Sequence, residues 1–206
     1  SPLITEHLPA YLDVQKSVRP NILKSYCNGL GSRIDIEYTP STFYYLKDKA
    51  SGRKWKTKLP YVVQCMSSVT TEDLVTGWKK TESYTYHDGC HDSNFREFRG
   101  FGFVEYREWE RGSDGEANQG VRETRLSFYL GLTSEKPLLE YEGSLTTRQW
   151  EEGARSLKGL PKHREVVSLD DNENVSIVHS VTEWVYKSKL LHLARIAGDR
   201  FRNGSC

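Results

Sequence analysis

The sequence lacks any long hydrophobic run, and its cysteines lack the spacing of a metal or redox motif. Nowhere do the roughly 18 consecutive apolar residues of a membrane-spanning helix occur. Cys27, Cys65, Cys90 and Cys206 match no zinc-ribbon, zinc-finger or thiol-oxidoreductase pattern. A disulfide between two of the first three stays possible, but a chain of 206 residues can bury a core without one. We therefore expect single buried thiols and no direct membrane insertion by this segment.

The chain also lacks a charge excess, with 29 Lys and Arg against 28 Asp and Glu. A net charge of +1 does not resemble the basic footprint of a nucleic-acid-binding protein, so no nucleic-acid partner is expected. The first residue is not Met, and the first seven residues, SPLITEH, have neither the basic nor the apolar region of a signal peptide. We expect that the chain is part of a longer polypeptide.

Recognisable catalytic motifs are absent as well. There is no Gly-x-Ser-x-Gly elbow, and Gly100-Phe101-Gly102 lacks the Lys-Ser/Thr of a phosphate-binding loop. Arg96, Glu97 and Arg99 could bind an anion, but cross-strand ion pairs are the favoured interpretation. We predict no catalytic residue and no cofactor.

One histidine-rich segment offers candidate metal ligands. It contains His87, Asp88, Cys90, His91 and Asp92, and His163 or His179 would have to supply a further ligand. The spacing of His87 and His91 places two imidazoles on one face only in a helix, and Gly89 argues against a helix there. The favoured interpretation is a polar hairpin loop over residues 87–94. A metal-dependent hydrolase using His87 and His91 is kept as an alternative.

Aromatic residues make up 12% of the chain and supply a second alternative. Tyr44, Tyr45, Trp55 and Trp78 could form an exposed face that binds a carbohydrate or a protein. Residues 47–58 carry five lysines and one arginine around Trp55, so they are expected to form an exposed loop or hairpin tip.

Period-two alternation of apolar and polar residues dominates the rest and predicts a mainly β fold with consecutive antiparallel strands and hairpins. The predicted strands or extended segments are 34–38, 43–45, 61–71, 78–86, 95–109, 121–130, 164–169 and 175–187. One short helix is predicted near 146–158, because Thr146 and Gln149 fit a capping box and Leu145 and Trp150 fit a hydrophobic staple.

Three glycines and few apolar residues mark residues 111–120 as a connector. The predicted organisation is a first β segment over 1–110, this connector, a second β segment with the helix over 121–191, and an unassigned tail over 192–206.

Several motifs, in the same order, resemble the middle region of the B component of bacterial Tc insecticidal toxins, which is shared with SpvB-type virulence proteins. They are PNILK (20–24), NGLG (28–31), IEYTPST (36–42), YLKDK (45–49), KLPYVVQ (58–64), FREFRGFG (95–102), ARSLKG (154–159), REVVSLD (164–170) and VTEWVY (181–186).

The resemblance implies a non-enzymatic piece of a secreted β shell related to Rhs/YD-repeat proteins. In that family, the B and C components enclose a toxic effector before its delivery through the A component. The implied partners are the remaining segments of the parent chain and the C and A components. The loop at 87–94 and the short connector depart from the usual family sequence, so loop contacts are not carried over.

Overall fold

The computed structural model describes residues 21–111, 121–135, 138–140, 146–170 and 174–189. Within them, antiparallel strands predominate and two helices occur. The elements are β1 (Ser25–Cys27), β2 (Ser32–Pro40), α1 (Ser41–Ala50), β3 (Gln64–Asp73), β4 (Lys79–Asp92), β5 (Glu97–Arg111), β6 (Arg122–Phe128), a short 3₁₀ helix (Thr133–Glu135), β7 (Leu138–Glu140), α2 (Thr147–Arg155), β8 (Pro161–Leu169), β9 (Val175–Glu183) and β10 (Lys187–Lys189).

Eight strands form one open sheet in the order β1-β2-β3-β4-β5-β6-β8-β9, and every neighbouring pair is antiparallel. The strands β7 and β10 pair separately and in parallel. Because sheet order follows chain order, nearly every pair is a hairpin or a meander step. The predicted class, mainly β with consecutive antiparallel strands, is confirmed.

The longest pair joins β4 to β5, and here one prediction is wrong. Residues 87–94 were expected to form a loop, but β4 continues to Asp92 and only residues 93–96 connect it to β5. Two backbone groups of this stretch are paired with the segment that follows α1. The backbone N–H of His91 donates to the carbonyl of Lys58 at 2.8 Å, and Thr57 Oγ1 donates to the Gly89 carbonyl at 3.0 Å. The polar residues of 87–90 are therefore buried and not exposed, because hydrogen bonds compensate polar groups for the loss of water.

Helix α1 contradicts a second prediction, since residues 43–45 were expected to be extended and residues 47–58 to be a loop. Pro40 occupies the N-cap with φ of −66°, and the helix runs from Ser41 to Ala50. Tyr44 and Asp48, four residues apart, are both buried against the sheet, which is the spacing of one helical face. Only residues 51–58 of the expected loop lie outside the helix, and Gly52 takes the left-handed conformation just after it.

Helix α2 confirms the predicted capping box. Thr146 Oγ1 accepts a hydrogen bond from the Gln149 N–H at 3.3 Å, and Gln149 Oε1 accepts one from the Thr146 N–H at 2.8 Å. Ala154 of the helix and Leu157 just after it are buried. The helix ends at Arg155 and turns continue to Gly159, at φ of 79°. Leu145 of the predicted staple and residues 112–120 of the predicted connector lie outside the described residues.

The cysteines of the described part of the chain are free thiols, as predicted. Cys65 and Cys90 are buried, whereas Cys27 is exposed, contrary to expectation. Burial raises the pKa of Cys65 to about 11, so this thiol stays protonated and unreactive at neutral pH. Cys206 lies outside the described residues. Among those residues, no helix is long and apolar enough to span a membrane.

Substitution of Gly89 by Ala should destabilise the fold, because its side chain would enter a filled space. The added Cβ would lie 2.8 Å from a Trp55 ring carbon and 2.9 Å from Leu59 Cδ2. Overpacking of this kind costs about 1–3 kcal/mol, measurable by urea unfolding. Gly102→Ala is the matched control, because its Cβ would meet nothing closer than 3.3 Å. A loss for Gly89→Ala no greater than for Gly102→Ala contradicts this packing.

Candidate functional site

A buried polar group centred on His87 joins helix α1 to the middle of the sheet. His87 is 5% exposed, and its Nδ1 lies 2.6 Å from Oδ2 of Asp48 on α1. Its Nε2 lies 3.6 Å from Oε2 of Glu105 on β5, which is an ion-pair distance rather than a hydrogen bond. Both ring nitrogens thus face carboxylates. We refer to Asp48, Trp55, His87 and Glu105 as the His87 cluster.

The segment after α1, residues 51–60, is attached to the same place, and we call it the strap. Trp55 Nε1 donates to Asp48 Oδ2 at 2.6 Å, and the Lys56 N–H donates to Asp88 Oδ1 at 2.7 Å. Arg53 lies 4.0 Å from Asp88 and 5.0 Å above the ring of Phe103. Helix, strap and sheet are therefore connected through carboxylates that each accept hydrogen bonds from distant parts of the chain.

The electrostatics of the cluster favour a charged histidine. Burial lowers the pKa of His87, but the carboxylates of Glu105 and Asp48 raise it, and their effect prevails. The interaction with His87 correspondingly lowers the pKa of Glu105 below its usual value, against the effect of burial. The imidazole ring is held between two carboxylates, and its buried nitrogens are directed at these groups.

A second polar group attaches helix α2 to the other end of the β4–β5 hairpin. Arg99 is 2% exposed and donates from Nη2 to Asp92 Oδ2 on the opposite strand at 2.7 Å. Glu97 accepts a hydrogen bond from Lys158 Nζ at 2.6 Å and lies 3.5 Å from Arg155. The predicted cross-strand ion pair is confirmed for Arg99, while Glu97 also pairs with residues in and just after α2. Arg96 lies in the connecting turn at φ of 53°.

A third buried carboxylate, Glu123 on β6, was not singled out from the sequence. It accepts hydrogen bonds from Arg107 Nε and Arg125 Nε, each at 2.7 Å. Arg107 and Glu123 are directly opposed in the β5–β6 register. Opposite charges at matching positions of neighbouring strands were the available signal, but that signal needs the register to be known first.

The candidate metal ligands are not brought together. His87 and His91 lie on one strand, where a spacing of four residues corresponds to about 13 Å. His163 and His179 belong to β8 and β9, with Glu183 and Ser168 as their respective partners. Among the described residues, no three His, Cys, Asp or Glu side chains form a group that could hold a metal ion.

The four aromatic residues of the binding alternative do not form a continuous exposed face. Tyr44 is 4% exposed and its ring contacts Tyr86. Trp78 lies at the β3–β4 turn, distant in sequence from the other three. Only Tyr45 and Trp55 adjoin, with ring centroids 5.4 Å apart, and both line a cleft between α1 and the strap. The prediction of one exposed patch of four aromatic residues is therefore wrong, and only Tyr45 and Trp55 share a surface, in this cleft.

The fold places the chain in the class of mainly β segments built on one open antiparallel sheet. The family described as the insecticide toxin TcdB middle/N-terminal region matches residues 1–128. The chain belongs to this family, which confirms the resemblance to the Tc toxin B component. The resemblance to SpvB-type and Rhs/YD-repeat proteins stays a prediction.

Solved structures of Tc toxins have the same fold. The crystal structure of TcdB2-TccC3 is 23% identical, with a TM-score of 0.71 over 83% of this chain and 10% of that one. The TcdB2-TccC3-Cdc42 structure is also 23% identical, with a TM-score of 0.72 over 83% of this chain and 10% of that one. For the Photorhabdus luminescens Tc holotoxin pore the identity is 24% and the TM-score 0.67, over 82% of this chain and 9% of that one. The chain spans about a tenth of these relatives, and no curated protein matches it.

The His87 cluster should make stability depend on pH in a defined window. Because the folded pKa of His87 is raised, its contribution is complete below the unfolded value of about 6.5 and is lost as pH rises through the folded value. Because that of Glu105 is lowered, its contribution is present above about 4.3 and is lost as pH falls through the folded value. The contribution of the His87–Glu105 interaction to the free energy of unfolding is therefore greatest between about pH 4.3 and about pH 6.5.

His87→Gln should cost about 1–3 kcal/mol at pH 5.5 and clearly less at pH 8.5, measured by urea unfolding at both. His163→Gln is the matched control, because His163 and Glu183 form an exposed pair whose loss should cost below about 1 kcal/mol. A His87→Gln cost that is equal at the two pH values would rule out the charged cluster.

Metal analysis tests the remaining alternative directly. After treatment with a chelator, dialysis, and incubation with zinc or manganese followed by gel filtration, the 206-residue chain should retain far less than one metal ion per molecule. The reason is that His87 and His91 lie too far apart on β4 to share an ion. Stoichiometric metal that His87→Ala and His91→Ala each abolish would establish the metal site instead.

Proposed function

We propose that this chain is a non-enzymatic structural segment of a secreted Tc toxin, which contributes to the β shell that encloses a toxic effector for delivery. Membership of the TcdB middle-region family supports the assignment to the B component. The observation that carries the structural role is the open edge of the sheet at β9. Among the described residues, β9 pairs only with β8.

The β9 edge is unusually apolar for a surface strand. Ile177, Val178 and Val181 are each more than half exposed, and every other residue of β9 is exposed as well. Isolated proteins protect such edges with charge, proline or a covering element, because unpaired backbone groups beside apolar side chains recruit further strands. An edge of this kind suits a segment whose neighbours in a longer chain complete the sheet.

The proposed partners follow from this role. They are the remaining segments of the parent chain, and beyond them the Tc-type C and A components, as suggested by solved assemblies named TcdB2-TccC3 and Tc holotoxin pore. Localisation outside the producing cell is part of the same proposal.

The division into 1–110, a connector 111–120, 121–191 and a tail 192–206 is proposed as a division of the sequence. Strands from both sides of the connector share one sheet through the β5–β6 pairing.

The proposal that the segment is not an enzyme is supported by the surroundings of its histidine and cysteine side chains. His87 faces two carboxylates rather than a nucleophile, and burial raises the pKa of Cys90 as it does that of Cys65. Histidine as a general base and cysteine as a nucleophile both need access to a substrate. These side chains instead lie within the sheet and its contacts with α1.

Self-association tests the open edge. The 206-residue chain should form larger species as its concentration is raised, and Ile177→Lys combined with Val181→Lys should suppress them, because charge blocks edge pairing. Analytical ultracentrifugation over a concentration series measures this. Val75→Lys is the matched control, since Val75 is 80% exposed but lies in the β3–β4 turn. A wild-type chain that stays monomeric throughout contradicts the proposal.

A further inference from the structure

A cleft lies between helix α1 and the strap, on the outer side of the His87 cluster. It encloses about 520 Å³. Its lining residues are Ser41, Thr42, Tyr45, Lys49, Arg53, Lys54, Trp55, Thr57, Lys58, Leu59 and Pro60. Among the residues that the structure describes, no acidic side chain lines it.

The charge of this cleft is positive and not neutralised. In the part of the chain that the structure describes, no carboxylate forms a salt bridge with Lys49, Lys54 or Lys58, whereas Lys79 and Lys80 on the sheet are both paired. Arg53 lies 4.0 Å from Asp88, an ion-pair distance, so the unpaired charge of the cleft is that of the three lysines. In a chain of net charge +1, unpaired cations around one concave surface indicate a site for a negatively charged ligand.

The start of α1 adds to this potential. Pro40 at the N-cap gives no side-chain hydrogen bond, and the first turn contains no acidic residue. The partial positive charge at the helix N-terminus is therefore not offset by its own side chains. Ser41 and Thr42, which open the helix, lie in the cleft lining beside the four cations.

The walls of the cleft distinguish between possible anions. Tyr45, Trp55, Leu59 and Pro60 make much of the lining apolar. Trp55 is held in place, with Nε1 bonded to Asp48 and its ring in edge contact with Tyr45 and Phe101. A fixed indole packed on two sides is poorly placed to stack on successive bases. In the described part of the chain, no Asp, Glu, Asn or Gln lines the cleft to bind sugar hydroxyls.

We propose that this cleft binds an acidic peptide segment of a partner protein. Carboxylates of the segment pair with Lys49, Lys54 and Lys58 at the rim, and an apolar or aromatic side chain between them enters the space beside Tyr45 and Leu59. Charge at the rim sets the rate and selectivity of such binding, and the apolar contact in the centre supplies affinity. This inference goes beyond the structural role and does not depend on it.

The test uses a fluorescein-labelled peptide of sequence SEDLFEDS and the complete 206-residue chain. Fluorescence anisotropy should show saturable binding that Lys54→Glu combined with Lys58→Glu weakens at least about tenfold, because reversed charge repels the peptide. Tyr45→Ala should also weaken it, through the loss of apolar contact. Lys47→Glu is the matched control, because Lys47 is an exposed residue of the same helix outside the lining, and it should change binding less than about twofold.

Circular dichroism and urea unfolding of each variant distinguish a local effect on binding from misfolding. Lys49→Glu provides a second charge reversal, on the α1 side of the cleft, and it should also weaken binding. Absence of saturable binding would overturn the proposal. So would equal weakening by Lys47→Glu, or equal binding of the basic peptide SKRLFKRS. Binding of a heparin oligosaccharide or of phosphatidylserine vesicles that SEDLFEDS cannot displace would assign the cleft to another anion and also overturn it.

Discussion

Strands β4 and β5 pair from Lys79–Arg111 to Asp92–Glu97, and the positions of both helices depend on this ladder. The stretch from His87 to Cys90 is buried, because α1 and the strap cover it. The far end of the ladder presents Asp92, Glu97 and Arg99 to α2. Backbone pairing over this length sets the positions of the side chains that both helices contact. Helix α1 contacts them through Asp48, and helix α2 contacts them through Arg155.

Buried ion pairs lie both within the sheet and between the sheet and α1. His87, Arg99 and Glu123 are each at most 5% exposed, and each has an oppositely charged neighbour. A buried ion pair adds little net stability over an apolar contact of the same size, but removal of one partner is costly. Such pairs also admit few alternative arrangements, so they suit a segment that has to present its edges in one geometry. Specificity of arrangement is thus the better explanation for these charges than stability.

The sequence predicted those features whose causes are local. Alternation identified the strand around residues 34–38, and Thr146 with Gln149 identified the start of α2, because these signals span only a few residues. Helix α1 was missed because Phe43, Tyr44 and Tyr45 favour strands individually, and only packing on the sheet overrides that preference. The His87 cluster was missed because Asp48 and His87 are 39 residues apart, so their contact requires the completed fold. Polar residues in 87–92 appeared loop-like for the same reason.

The β9 edge and the cleft beside α1 differ in their chemistry. The β9 edge offers unpaired backbone and aliphatic side chains, so a further strand can add to it with little dependence on charge. The cleft beside α1 offers cations and a fixed indole, so its affinity for an anionic segment falls as salt rises. High salt should therefore separate the two, because it screens the cleft and strengthens apolar burial at the edge. A single partner could use both surfaces only if it supplied a β-strand and an acidic segment at once.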